Sequence, residues 1–227
     1  MVKSISGFTA AAAAVIHKDI VSEFRTRYAF NALIMFSLVT LTVVSIAIGR
    51  FNLTADLSAA FLWVMVFFSA VSGLSQSFVK EEETRTIISL QLYAEPLTIF
   101  AGKLIFNCIL MLFLESIFIP LYFILLPVNC GNLILFLLVI VLGTIGLVGT
   151  TTIIAAIVAK SSMKGALFAV LSFPILLPLL VAAIGATETS FSGGSFGAAS
   201  NDLKLLISYP VIMIVASTFL FEYIWNE

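Results

Sequence analysis

The chain has 227 residues, of which 61% are hydrophobic and only 10% are charged, and its formal net charge is −1. A soluble domain of this length needs a larger charged surface, so the composition excludes that class and indicates an integral membrane protein. The nearly neutral balance gives no sign of nucleic-acid binding. Because the length is taken up by apolar runs and short connections, we expect no soluble catalytic domain within it.

Six apolar runs along the chain are each long enough to cross a bilayer, which takes about 20 residues at a rise of about 1.5 Å each. The longest apolar stretch is divided in two by a polar and helix-breaking cluster around Pro127 and Gly131. The sequence therefore predicts an all-α, polytopic membrane protein whose permease domain covers residues 28–227. The predicted transmembrane helices are residues 28–49, 57–79, 104–126, 133–159, 165–187 and 205–225.

The basic residues are distributed unevenly between the two sides of these spans. If the N-terminus lies inside, the outer loops hold only Arg50 and Lys204. Cytoplasmic segments of membrane proteins carry the excess of lysine and arginine, so we predict that both termini are cytoplasmic. The inner bases are Lys3, Lys18, Arg25, Arg27, Lys80, Arg85, Lys103, Lys160 and Lys164.

Residues 1–27 precede the first span and are predicted to form an amphipathic helix at the inner membrane interface. One helical face is apolar and the other is largely polar. A cytosolic helix packed on a partner fits the same pattern, and both interpretations stay open. The polar face holds His17, the only histidine, which excludes a bis-histidine haem site within the chain. The apolar face consists of Val15, Ile16, Ile20, Val21 and Phe24.

Residues in the second and fourth spans predict how the helices meet. Trp63 lies toward the outer end of the second span, where we expect its ring among lipid headgroups. Gly143, Gly146 and Gly149 recur every third residue in the fourth span and would let another helix cross closely. Packing is the default role of this glycine face, and a helix that lines a translocation path is the alternative.

The longest inner connection, residues 80–103, begins with charged residues and continues with a short apolar segment at 87–93. Glutamates suit the start of a helix, and Pro96 is expected to end it. The apolar segment is too short to cross a bilayer, so protein or the interface must cover it. We predict a short helix that contacts a soluble partner, with an ordinary solvated loop as the alternative.

Polar and helix-bending residues inside the spans suggest further roles. Glu115 lies near the middle of the third span, where a charge is costly, so it should face the helix bundle. It either locks helices together through a hydrogen bond or belongs to a substrate path or conformational switch. Pro174 and Pro178 make the fifth span a candidate hinge. The glycine- and serine-rich segment 187–200 is expected to be flexible.

No phosphate-binding motif of the type G-x-x-x-x-G-K-[ST] occurs in the sequence. The chain is therefore not expected to be an enzyme, and any ATP hydrolysis must come from a partner. Rows of intramembrane carboxylates, which many ion-coupled carriers use, are also missing from the sequence. A machine driven by a partner is thus favoured over a secondary transporter.

Several short motifs follow one another along the chain. After the basic amphipathic helix come Leu62-Trp63, then Leu74-Ser75-Gln76-Ser77-Phe78 running into Lys80–Glu83, and then Leu92-Tyr93-Ala94-Glu95-Pro96-Leu97 before Lys103. In these motifs the chain resembles the CcmB family, the permease subunit of the ABC-type complex of cytochrome c maturation. The resemblance extends over essentially the whole chain, and residues 62–103 are its most specific part.

This resemblance implies a permease similar to ABC-2 or type V exporters in a bacterial inner membrane. It implies a homodimer bound to two copies of a cytosolic ABC ATPase, which would bind ATP, and to a haem-handling membrane subunit. No cofactor would be bound directly, and haem would be the handled or transported ligand. The surface expected to face the ATPase consists of Glu81, Glu82, Glu83, Arg85, Ile87, Leu90 and Tyr93.

The resulting hypothesis is a permease that couples ATP hydrolysis in a partner to haem delivery or to release of a haem-loaded chaperone. One alternative is a scaffold of the maturation complex that transports nothing. Another is a permease of the same architecture for a different lipophilic substrate.

Overall fold

The structure, a computed structural model, describes residues 2–48, 53–83, 86–159, 161 and 164–226, and no strand occurs among them. The predicted all-α class is therefore confirmed. The helices are α1 (Val2–Thr26), α2 (Tyr28–Ile48), α3 (Ala55–Leu74), α4 (Val79–Glu83), α5 (Ile87–Tyr93), α6 (Pro96–Leu125), α7 (Leu133–Ala159), α8 (Lys164–Phe191) and α9 (Ser200–Asn226).

Five helical segments within the described residues are long and apolar enough to cross a membrane. They coincide with five of the six predicted spans, which supports a polytopic membrane protein. The first predicted span falls on α2, where a shorter apolar helix, Ile34–Ile48, is found, so a sixth span stays a prediction. The five long segments are Ala55–Glu83, Pro96–Leu125, Leu133–Ala159, Gly165–Phe191 and Ser200–Trp225.

We call the end of the bundle that holds the α3–α6 connection the inner end, following the predicted topology, and the end that holds the α6–α7 turn the outer end. At the inner end, α6 begins at Pro96, well before the predicted start at residue 104. Proline is favoured in the first turn of a helix because the missing N–H would have no partner there. As a result Lys103 lies within a helix and not in a loop.

Helix α7 lies at the centre of the bundle, with α8 and α9 packed along it. Its glycine face receives side chains from three other helices, as close crossing requires. A Cβ atom on Gly143 would overlap the ring of Trp63, one on Gly146 would lie 2.8 Å from Leu179, and one on Gly149 would lie 3.2 Å from Ile214. The glycine face is thus filled by packing.

The position predicted for Trp63 at the membrane interface was wrong. The side chain is fully buried against Gly143, and its indole Nε1–H donates a hydrogen bond of 2.9 Å to the Thr187 hydroxyl on α8. A buried indole needs such a partner for its single donor. Trp63 therefore connects α3 to α7 and α8 inside the bundle.

The segment expected to be flexible, 187–200, is instead tied to the α6–α7 turn. Helix α8 continues to Phe191, and the Asn132 N–H donates to the Ser190 carbonyl oxygen at 2.9 Å. The Ser190 hydroxyl donates to the Asn132 carbonyl oxygen at 2.9 Å, and Asn132 Nδ2 donates to the Gly194 carbonyl oxygen at 3.0 Å. These bonds join the two outer turns.

Candidate functional site

Four charged side chains meet at the inner end of the bundle: Lys18 and Asp19 of α1, Glu81 of α4 and Lys103 of α6. We call them the inner ion cluster. Lys103 Nζ lies 2.5 Å from Glu81 Oε1 and 3.1 Å from Asp19 Oδ2. Lys18 Nζ lies 2.7 Å from Glu81 Oε1 and 2.9 Å from Asp19 Oδ1. The two cations balance the two carboxylates, as buried charges require.

Most of the inner ion cluster is shielded from solvent. Lys103, Glu81 and Asp19 are 3%, 6% and 7% exposed, whereas Lys18 lies at the edge. Burial alone would lower the pKa of Lys18, but the carboxylates of Glu81 and Asp19 raise it above its ordinary value. Lys18 therefore keeps its charge at neutral pH.

Close packing of α1 on α6 brings these residues together. A Cβ atom on Gly102 would lie 2.8 Å from Val15 Cβ and 3.2 Å from the Ala12 carbonyl oxygen, so the two helices cross at this glycine. Asp19 lies one turn after Val15 on the same face of α1, and Lys103 follows Gly102 directly. The crossing therefore places Asp19 beside Lys103.

Hydrogen bonds extend the inner ion cluster to the rest of the bundle. Lys103 Nζ donates to the Ser77 carbonyl oxygen at 2.6 Å, in the turn between α3 and α4. Asn107 Nδ2, one turn further along α6, donates to the Ser77 hydroxyl at 3.1 Å and to the Thr152 hydroxyl on α7 at 2.9 Å. Lys80 Nζ donates to the Ser22 hydroxyl on α1 at 2.6 Å. The inner ends of α1, α4, α6 and α7 are thus linked.

Two cavities border the inner ion cluster. One, of about 470 Å³, lies toward α6 and is lined by Lys103 and Asn107 among others. The second, of about 620 Å³, lies between α1 and α5 and is lined by Val15, Leu90 and Tyr93 among others. Glu81 lines both cavities, so a group that enters either one comes close to the Glu81 side chain.

The residues expected to face an ATPase divide into two sets. Glu81 and Leu90 point into the protein and are buried. Glu83 and Tyr93 are exposed, and so is Leu92 of the same apolar segment. Glu82 and Ile87 are half-buried. The prediction for Arg85 lies outside the described residues.

Glu115 is buried in α6 at 3% exposure. The Thr144 hydroxyl on α7 lies 2.7 Å from each of its carboxylate oxygens and donates its one hydrogen to this pair. The contact joins α6 to α7 by a hydrogen bond, one of the two roles expected from the sequence. A role of Glu115 in a substrate path or switch stays a prediction.

Pro174 and Pro178 both lie inside α8, which continues through them. Each removes a backbone donor from the helix. Next to them, the Ile175 carbonyl oxygen accepts a hydrogen bond of 2.7 Å from the Tyr209 hydroxyl on α9. The role of these prolines as a hinge stays a prediction.

Sequence reasoning missed Asp19 and the burial of Lys103. It counted Lys103 among the basic residues of the inner segments and gave Asp19 no role. A useful sign was available, because Asp19 follows Ala12 and Val15 at helical spacing and so shares their buried face. The pairing with Lys103 depends on the crossing angle of α1 and α6, which local spacing does not give.

Among the described residues, no group of three or more histidine, cysteine or acidic side chains is arranged to hold a metal ion. His17 is exposed on α1. The chemistry that the inner end of the bundle offers is thus ion pairing and hydrogen bonding by lysine, carboxylate and amide groups.

Comparison with protein families gives a match to the profile of the CcmB protein over residues 10–223. The chain belongs to the CcmB family. The match includes every residue of the inner ion cluster, together with Glu115 and Thr144. With its long apolar helices, this CcmB-family chain is a multi-pass membrane protein. A comparison with curated proteins found no match.

Proposed function

We propose that this chain is the permease subunit of an ABC-type complex for cytochrome c maturation. It acts as a homodimer in an inner membrane, with six spans, the amphipathic face of α1 at the inner interface and both termini cytoplasmic. A cytosolic ATPase subunit hydrolyses ATP, and a haem-handling membrane subunit completes the complex. The motion drives haem delivery or release of the haem-loaded chaperone. Membership of the CcmB family supports this role.

The inner ion cluster is the observation that carries the coupling mechanism. Glu81 on α4 is paired with Lys103 on α6 and with Lys18 on α1. Separating one member would leave a buried charge unpaired, which costs about 3–5 kcal/mol. A displacement of α4 by a partner therefore moves α6 and α1 with it.

Motion of α6 reaches the centre of the bundle through two contacts. Asn107 bonds Thr152, and Glu115 accepts a hydrogen bond from Thr144, so α7 is coupled to α6 at two depths. Packed helices with hydrogen-bonded contacts shift as units and do not deform gradually. Force applied at the inner surface is thus transmitted into the spans.

Helix α5 supplies the surface for the ATPase. Leu92 and Tyr93 are 85% and 63% exposed, although both are large and apolar in body. Tyr93 also lines the cavity between α1 and α5. Exposed aromatic and aliphatic side chains beside a cavity are typical anchors of a protein interface.

Co-purification tests this surface. Replacing Leu92 and Tyr93 together by alanine should lower recovery of the ATPase on the tagged chain by about thirtyfold, since interface anchors contribute more than about 1 kcal/mol each. The matched control is Ile134→Ala, which removes a similarly exposed apolar side chain at the outer end. Equal ATPase recovery by both variants would show that α5 does not contact the ATPase.

Vesicle assays distinguish a permease from a scaffold. The reconstituted complex should move haem when ATP is supplied on the ATPase side in the absence of the chaperone. If ATP moves no haem but still drives release of the chaperone, the activity is release of the haem-loaded chaperone and not haem delivery. ATP that drives neither event would leave only the scaffold.

A further inference from the structure

A third cavity, of about 360 Å³, lies where the connection between α1 and α2 meets α6. It does not contain any member of the inner ion cluster. Its lining is mainly apolar, and Glu23, Arg27 and Asn31 provide its polar edge. The main apolar side chains are Phe24, Phe30, Phe106, Ile109, Leu110 and Phe113.

The connection that forms this cavity is held in a defined shape. Arg27 adopts a φ of 51°, a left-handed conformation that non-glycine residues seldom take. The Glu23 carboxylate accepts a hydrogen bond of 2.8 Å from the Phe30 N–H at the start of α2. The Phe30 ring stacks on Phe113 of α6, with centroids 5.9 Å apart. These contacts fix the turn against α6.

The open side of the cavity is apolar and its edge is basic. Phe24, Ile109 and Phe113 are 76%, 49% and 51% exposed. Arg27 is exposed beside them and supplies the basic group, while the charge of Glu23 is directed at the α2 N-terminus. A guanidinium group binds phosphate through paired hydrogen bonds. The site thus fits a molecule with a long apolar part and an anionic phosphate.

The neighbouring polar cavity would not compete for such an anion. It shares Glu23, Phe106 and Leu110 with the apolar cavity, but its lining has more carboxylates than lysines, so it repels negative charge. The anionic group must stay at the Arg27 edge. The carboxylates are Asp19, Glu23, Glu81 and Glu83, and the lysines are Lys80 and Lys103.

We propose that this cavity binds one acyl chain of an anionic phospholipid of the inner leaflet, with the phosphate held by Arg27. The lipid fills the gap between the α1–α2 connection and α6 and supports α1 where it reaches the inner ion cluster. This site requires only the inner-leaflet position of the connection and is independent of ATPase coupling.

Native mass spectrometry of the full chain released from nanodiscs tests the proposal. From nanodiscs that contain equal phosphatidylglycerol and phosphatidylcholine, the unaltered chain should retain one phosphatidylglycerol. Arg27→Gln should weaken this retention by about fivefold, since a base near an anionic membrane surface contributes about 1 kcal/mol. Ile109→Trp, at a half-exposed position that lines the cavity, should abolish it by filling the space.

The matched control is Lys204→Gln, which removes an exposed base at the outer end and should leave retention unchanged. Equal retention of the two lipids by the unaltered chain, or full retention by Arg27→Gln, would overturn the proposal. If Ile109→Trp does not fold, as judged by its elution on size exclusion, Arg27→Gln decides alone. Disulfide-linked dimers formed efficiently by Ile109→Cys would show that a second copy covers the cavity and would equally overturn it.

Discussion

Lys103 and Asp19 are 84 positions apart in the chain, yet the Lys103 ammonium lies 3.1 Å from the Asp19 carboxylate. Both side chains are buried, and Lys103 also forms an ion pair with Glu81. The pair joins α1 to α6, the helix that carries Glu115. It adds an ion pair to the close packing of α1 on α6 at Gly102.

Lys103→Met should lower the free energy of unfolding by about 3–5 kcal/mol, because the carboxylates of Glu81 and Asp19 would stay buried without their central cation. Thermal unfolding of the purified chain in detergent, followed by tryptophan fluorescence, measures the loss. Lys204→Met is the matched control, since its side chain is exposed and should change the value by less than about 0.5 kcal/mol. Equal melting curves for the two variants would contradict a buried ion cluster.

Glu115→Gln should be milder than Glu115→Leu, because an amide oxygen can still accept the Thr144 hydrogen bond. Leucine would leave that hydroxyl buried without its acceptor, at a cost of about 1–3 kcal/mol. Unfolding measurements on both variants, and on Thr144→Val with and without Glu115→Leu, give the coupling between the two residues. Additive effects in this double-mutant cycle would show that the contact does not contribute.

Gly143→Ala should destabilise the bundle by about 1–3 kcal/mol, because its new methyl group would overlap the far edge of the buried Trp63 ring. Gly165→Ala is the control, since a Cβ atom there meets nothing within 4 Å. Trp63→Phe should partly rescue Gly143→Ala by shortening the ring. Trp63→Phe also loses the hydrogen bond to Thr187, so its own cost must be measured separately. Additive costs of the two substitutions in the double variant would argue against this contact.

Replacing Pro174 and Pro178 by alanine should restore regular backbone donors to α8 and stiffen it. If α8 bends during the transport cycle, cytochrome c yield should fall while thermal stability is unchanged or higher. Pro120→Ala in α6 serves as the control, because Pro120 is also an exposed proline inside a helix. If the Pro174 and Pro178 replacement gives the same normal cytochrome c yield as Pro120→Ala, the hinge is excluded.

The sequence was sufficient to predict the long helices, because the apolar runs that cross a bilayer are local features of composition. The glycine face of α7 likewise predicted close packing, since small residues at fixed spacing have few other uses in a span. The side chain that packs on this glycine face was not predictable. Trp63 covers Gly143, although its expected position was the membrane interface. Lys103 and Glu81 have the appearance of solvated inner charges until the packing of α1 on α6 covers them.

The hydrogen bonds between Asn132 and Ser190 restrict how α7 and α8 can separate. They fasten the two neighbouring helices at one extremity, where the backbone atoms of both turns take part. At the opposite extremity the chain itself joins them, because only four residues separate Ala159 from Lys164. Relative motion of the pair is therefore restrained at both extremities. A gap between these helices would have to form midway along them, where Leu179 packs on Gly146.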